Sequence, residues 1–199
     1  MTGKHHCISN IATISLIHLA TVSICESETN VLAPYISDIT YKLTHHNDFP
    51  TWFIYVIATC LFLIGTYLPD CDSKSSTIGK LFYIPVEHRT WTHAIWFPLI
   101  WGIVFWFLFP PLVWVSIGYF LHLFWDSFSV GGVCFCYPFT NYRTFRGGAK
   151  VKKHHYLKLY RVGSVSETVL LACLITTTIV LYGVVYIPKL FMFRLRLMM

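Results

Sequence analysis

Five apolar runs, at 8–23, 51–68, 94–109, 112–128 and 168–188, alternate with more polar connections along the chain. A helix needs about 20 mostly apolar residues to cross the hydrocarbon core of a bilayer, and the three middle runs are the most continuous. The first contains His18 and several Thr and Ser, so it is expected to lie half-buried against its neighbours. Pro110-Pro111 divides what would be one overlong run, because proline cannot continue the helical hydrogen-bond ladder. The pattern predicts an all-α fold, a polytopic membrane helical bundle of about four to five transmembrane helices. No internal repeat or long linker interrupts it, so a single integral-membrane domain over 1–199 is expected, with a basic segment at about 139–166 and a last apolar helix at about 168–188.

Composition agrees with the pattern. The chain is 55% hydrophobic and 12% charged, against about 25% charged for an average soluble domain. Lys4 ahead of the first run imitates a signal peptide, but the residues that follow offer neither a small-residue cleavage site nor a lipobox, and the run reads as retained. The seven cysteines are scattered and lack the paired spacing of a zinc knuckle.

The net charge of +6 is unevenly placed. Lys74, Lys80 and Arg89 share one connection, and Arg143, Arg146, Lys150, Lys152, Lys153, Lys158 and Arg161 crowd another. Glu26, Glu28, Asp38 and Asp48 share theirs with Lys42 alone. Beside hydrophobic spans, basic clusters record orientation or touch anionic lipid, which disfavours nucleic acid as a partner. If the spans alternate, the N-terminal tail, the 69–92 connection and the 129–167 segment share one face, which the basic rule assigns to the cytoplasm. Five crossings would put Lys189, Arg194 and Arg196 on the other face, against that rule, so the side of the C-terminus stays open.

Three polar islands lie on the shared face. Asp70 and Asp72 follow the second span, where Pro69 stops the helix. His88-Arg89-x-x-Thr92-His93 precedes the third, with Thr92 placed to cap a helix beginning at His93. His122 and Asp126 stand one helical turn apart on one face of the fourth. Ionisable groups at membrane depth pair, bind cations or mark pathways. Imidazoles and carboxylates at these intervals suit a divalent cation, and Arg89 suits a phosphate or carboxylate because its planar fork donates twice. The same topology brings His5-His6 to the islands, leaves His45-His46 on the far face, and puts His154-His155 in the basic segment, where a solvated surface is the expectation.

The order Leu-Pro-Asp-x-Asp with Gly79, then His-Arg-x-x-Thr-His, then Gly118-Tyr119-x-x-His122-x-x-x-Asp126-x-x-Ser129-x-x-Gly132 resembles the YdjM-like, LexA-binding, inner-membrane-associated family of metal-dependent hydrolases. The motifs span about 1–138. The family is distantly similar to the zinc phospholipase C and single-strand nuclease superfamily. The resemblance implies a multi-pass protein of the bacterial inner membrane. It also implies that His6, Asp70, His88 or His93, His122 and Asp126 hold the metal, with Asp72 and Arg89 close by. Ser129 stands where Thr is usual, which keeps a hydroxyl, and Ala94 stands where Ser is common, which removes one.

The expected function is a membrane-bound metal-dependent hydrolase carrying zinc, as one or two ions, and acting on a phosphoester or lipid-like substrate through activated water. Asp72 is the expected base or imidazole partner, and Arg89 the neutraliser of charge on a phosphoryl oxygen. Alternatives are a membrane adaptor with a structural metal that recruits a cytoplasmic regulatory protein through 143–161, and an ion-coupled transporter. Gathering of the polar groups at one face argues against the transporter.

Overall fold

The computed structural model describes residues 3–26, 31–45, 49–139, 142–144, 150–152 and 159–198. The charged positions Glu28, Asp48, Arg146, Lys153 and Lys158 and the histidines His46, His154 and His155 lie outside them. The described residues form helices α1 (Gly3–Cys25), α2 (Ala33–Thr44), α3 (Thr51–Tyr67), α4 (Thr77–Leu81), α5 (Trp96–Leu108), α6 (Val113–Ser127) and α7 (Val165–Met198). Tight 3-10 turns occupy Leu68–Asp72, Trp91–His93 and Pro110–Leu112. An antiparallel ribbon pairs β1 (Tyr142–Thr144) with β2 (Lys150–Lys152), Tyr142 opposite Lys152.

Proline sets the helix boundaries. Pro50 precedes α3 and Pro69 sits in the turn that ends it, while Pro110 and Pro111 form the turn between α5 and α6. The helical bundle appears as expected, but among the described residues three helices, not four or five, are long and apolar enough to span: Lys4–Cys25, Thr51–Asp72 and Val165–Lys189. Helix α5 has 13 residues and α6 has 15. At 1.5 Å per residue these reach only about 20–22 Å, short of the roughly 30 Å hydrocarbon core.

The centre of the bundle is the α3–α6 pair. A Cβ on Gly118 would lie 2.2 Å from the Phe62 carbonyl oxygen, and one on Gly65 would lie 2.0 Å from that of Val115, so only glycine permits this approach. Close packing of small residues holds helices together in lipid, where apolar burial brings little gain. Asn10 joins α1 to the pair, its Nδ2 donating to Thr66 Oγ1 at 3.1 Å and to the Gly118 carbonyl at 3.2 Å. At the far end the Trp114 indole donates to the Leu43 carbonyl at 3.1 Å, seating α2 over the prolyl hairpin.

Ion pairs at both ends show α1 and α7 to be parallel. His5 Nδ1 meets Glu167 Oε1 at 2.8 Å near their starts, and Lys189 Nζ meets the Glu26 carboxylate at 2.5 and 2.6 Å near the far end. The start of α1, the ends of α3 and α6, and the starts of α5 and α7 therefore share one end of the bundle. Lys189 lies at the other, where five alternating segments would put it.

Two local expectations are corrected. The acidic 26–50 connection contains a helix, α2, rather than only loop. Thr92 does not cap a helix beginning at His93, because 91–93 is a 3-10 turn and α5 begins at Trp96. The Thr92 hydroxyl is drawn instead to Asp72 Oδ2, a partner twenty residues away.

Candidate metal centre

At the shared end, the last turn of α6 presents His122 and Asp126 toward the turn after α3, which carries Asp70 and Asp72. His122 Nδ1–H donates to the Thr66 carbonyl at 2.7 Å. That bond fixes the tautomer and leaves the Nε2 lone pair facing inward. His93 is held alike, with Nδ1 3.0 Å from Thr92 Oγ1, whose own proton goes to Asp72.

The inward nitrogens converge on the carboxylates. His93 Nε2 lies 3.5 Å and His122 Nε2 3.8 Å from Asp126 Oδ2, and His122 Nε2 lies 3.6 Å from Asp70 Oδ1. His93, His122 and Asp126 are fully or almost fully buried. Both Nε2 atoms lack a hydrogen-bond partner. These separations are long for hydrogen bonds and near the spacing of ligands around one divalent ion, whose donors at about 2.0–2.2 Å stand roughly 3.3–3.6 Å from one another. Buried polar atoms are normally satisfied, so a network serving stability alone would not strand two imidazole nitrogens side by side. Three carboxylates, Asp70, Asp72 and Asp126, gather at the cage, and the Arg89 guanidinium pairs with Asp126. Burial alone would lower the His93 imidazole, but the adjacent Asp126 and Asp72 carboxylates outweigh it and push it up to about 9. The donor set fits a divalent metal.

The remaining candidates surround this cage. Three groups, His6–His122–Asp126, Asp70–His93–His122 and Asp72–His88–His93, have donor atoms within 4.8 Å of one another. His6 stacks on His122 at 3.8 Å and puts Nε2 3.1 Å from Asp126 Oδ1. His88 and His93, equivalent by spacing, separate: His93 faces the cage, while His88 stands at the rim, 43% exposed, with Nδ1 2.6 Å from Asp72 Oδ1. Arg89, at φ 64°, turns the chain between them through a left-handed conformation uncommon outside glycine. Its backbone N–H donates to Asp72 Oδ2 at 3.2 Å.

The Arg89 guanidinium does not present the free fork expected for a phosphate. Nη2 donates to Asp126 Oδ1 at 3.1 Å, and Nη1 donates to Ser129 Oγ at 3.1 Å and the Gly132 carbonyl at 3.3 Å. A Cβ on Gly131 would meet Nη1 at 1.9 Å, so that turn is shaped around the guanidinium. Arg89 therefore fixes Asp126.

The order in which these motifs meet, from His6 in α1 to the Ser129–Gly132 turn after α6, is matched by a sequence-family description, YdjM inner membrane protein, over residues 1–190. The chain belongs to this family. The match runs beyond the motif-bearing 1–138 and includes the basic segment and most of α7. Neither a curated protein nor a solved structure matches the chain. In this YdjM-family protein three supporting residues escape the motif pattern. Asn10 and Thr66 brace the helices behind the cage, and the fully buried Glu167 ties α7 to His5, beside His6. Each is a polar residue inside or at the edge of an apolar run, and that was the only signal available for it.

Proposed function

We propose that the protein is a membrane-bound metal-dependent hydrolase of phosphoester or lipid-like substrates, with His93, His122 and Asp126 holding zinc or a similar divalent ion and Asp70 bordering the position left for water. The observation that carries this reading is the pair of buried, unpartnered Nε2 atoms facing two carboxylates. A metal held by these residues would lower the pKa of a bound water from about 15.7 to near 7 and so supply a nucleophile at neutral pH. The Thr66 carbonyl and Thr92 hydroxyl keep His122 and His93 in the tautomer that binds metal. Arg89 holds Asp126 in place and offsets part of its charge.

Asp72, with one oxygen on His88 and the other engaged by Thr92 and the Arg89 N–H, orients an imidazole whose ring reaches the rim. His88 is thereby placed to take a proton from water or give one to a leaving oxygen. The Asp70 side chain, 15% exposed, borders the same edge. An accessible edge suits catalysis, whereas structural zinc sites are closed. The basic residues Lys74, Lys80 and Arg89 accompany the donors at one end, which supports a site facing the cytoplasm of the inner membrane.

The experiment is elemental analysis of detergent-purified protein, followed by hydrolysis of a panel of phosphoesters. At least one zinc per chain and metal-dependent release of product are expected. Failure to bind zinc after reconstitution would overturn the reading. Zinc without turnover of any phosphoester would favour the adaptor alternative, in which the metal is structural and a cytoplasmic partner is recruited.

A further inference from the structure

The connection from Lys80 to His88 joins an apolar surface to the rim of the cage. Leu81 is 85% and Phe82 60% exposed, and Tyr83 and Pro85 are exposed beside them. A water-facing loop of this length would carry polar residues at such positions. The middle and the far end of the segment are pinned to the last residues of the second span. The Ile84 N–H donates to the Cys71 carbonyl at 2.9 Å, and His88 Nδ1 and the Arg89 N–H both reach the Asp72 carboxylate. Because the Thr51–Asp72 span ends there, the segment lies at the depth where hydrocarbon gives way to headgroups. Lys74 stands 4.9 Å from the centre of the Tyr83 ring, and exposed Lys80 lies beside Leu81. Apolar side chains directed outward with ammonium groups alongside form the pattern that seats peptide segments in an anionic interface.

Resting on the hydrolase reading, we propose that the 80–88 segment is an interfacial strap that inserts into the headgroup layer and admits a membrane phospholipid laterally to the edge formed by His88 and Asp70. The strap is hydrogen-bonded to the end of the Thr51–Asp72 span, at the depth of the headgroups. Its occupant is therefore the bilayer. The substrate class follows: a phosphoester whose acyl chains stay in the leaflet while its phosphate meets the cage. The bond cleaved is P–O: water gives its hydroxyl to phosphorus and its remaining hydrogen to the leaving oxygen.

The test uses the full chain in vesicles of phosphatidylethanolamine and phosphatidylglycerol containing a phospholipid with a headgroup diazirine. Adducts are mapped by mass spectrometry after irradiation. Labelling at 81–83 is expected, and it should fall about tenfold or more in a Leu81→Asp/Phe82→Asp variant that keeps its zinc. Labels confined to the spanning helices, or unchanged in the variant, would overturn the proposal and leave the strap facing water or a protein. Labelling is read without turnover, so it decides this inference even if the chain hydrolyses nothing. Where turnover is found, the variant should lose activity on vesicle phospholipid and keep it on a water-soluble short phosphoester. Equal loss on both substrates would count against lateral entry.

Discussion

The two ends of the bundle carry similar residue types and use them differently. At the far end, His45 shares a hydrogen bond with Thr44, His18 with Tyr182, Lys42 pairs with Asp38 and Lys189 with Glu26. These are local or surface pairs. At the near end His93 and His122 are fully buried, their outer nitrogens are fixed by the protein, and their inner nitrogens face carboxylates at distances too long for hydrogen bonds. Ligand-like residue types are therefore insufficient to make a site. What distinguishes the near end is burial together with a lone pair left without a partner, a costly arrangement unless a cation occupies it.

The largest effect expected at the near end comes from Asp126→Asn. The substitution removes the carboxylate that Arg89, His6 and His93 share, leaving a largely buried guanidinium uncompensated. Breaking a buried pair from one side costs about 3–5 kcal/mol. Thermal unfolding should register that loss, and elemental analysis should find bound metal reduced to background. Asp38→Asn at the far end, in an exposed i,i+4 pair, should change neither. Equal effects at the two ends would erase the distinction.

The histidines offer a comparison less burdened by stability. Loss of a group that merely orients a metal ligand typically costs 10–100-fold in affinity, and His122→Gln, which removes a ligand itself, should weaken zinc binding by at least about that much. His45→Gln should leave the zinc dissociation constant unchanged. Competition with a chromogenic chelator measures both. Tight zinc binding retained in the His122 variant would place the metal elsewhere.

Much of the near end was legible in the sequence because its cause is local. The runs at 51–68 and 112–128 lie within one residue of α3 and α6 at each end, since proline or a polar cluster bounds them. Alternation of spans then gathers the polar islands on one side whatever the packing. Elements that depend on distant partners were not legible. Helix α2 was hidden because Tyr35, Ile36, Ile39 and Leu43 are interleaved with polar residues in an acidic stretch, and its cover, the prolyl hairpin, is some seventy residues away. The separate roles of His88 and His93 depend on the left-handed turn at Arg89, which spacing does not reveal. The span count failed for another reason: hydropathy marks apolar runs, but the double proline leaves two helices shorter than the hydrocarbon core.

Arg89→Lys probes a finer point, whether the near end needs a planar fork or only a positive charge. Lysine keeps the charge but cannot reach Asp126, Ser129 and Gly132 together as the two guanidinium nitrogens do. Hydrogen bonds to charged groups contribute about 1.5–3 kcal/mol each, and the variant should lose stability at the low end of that range while still binding some zinc. A variant as stable as the parent would show that the Ser129–Gly132 turn holds Asp126 without the guanidinium.

The smallest effect is expected where the ion pair looks strongest by distance. Lys189 Nζ touches both Glu26 oxygens, yet the two side chains are 42% and 56% exposed. Exposed pairs contribute about 0–1 kcal/mol because water and salt screen them and ordering two long side chains costs entropy. Glu26→Gln should shift unfolding by no more than that and leave zinc content intact. A larger loss accompanied by falling zinc would mean that α1 and α7 transmit strain along their parallel contact to His5 and Glu167. The far end would then be a support for the cage, and burial alone would no longer explain why the cage of candidate ligands forms at the near end.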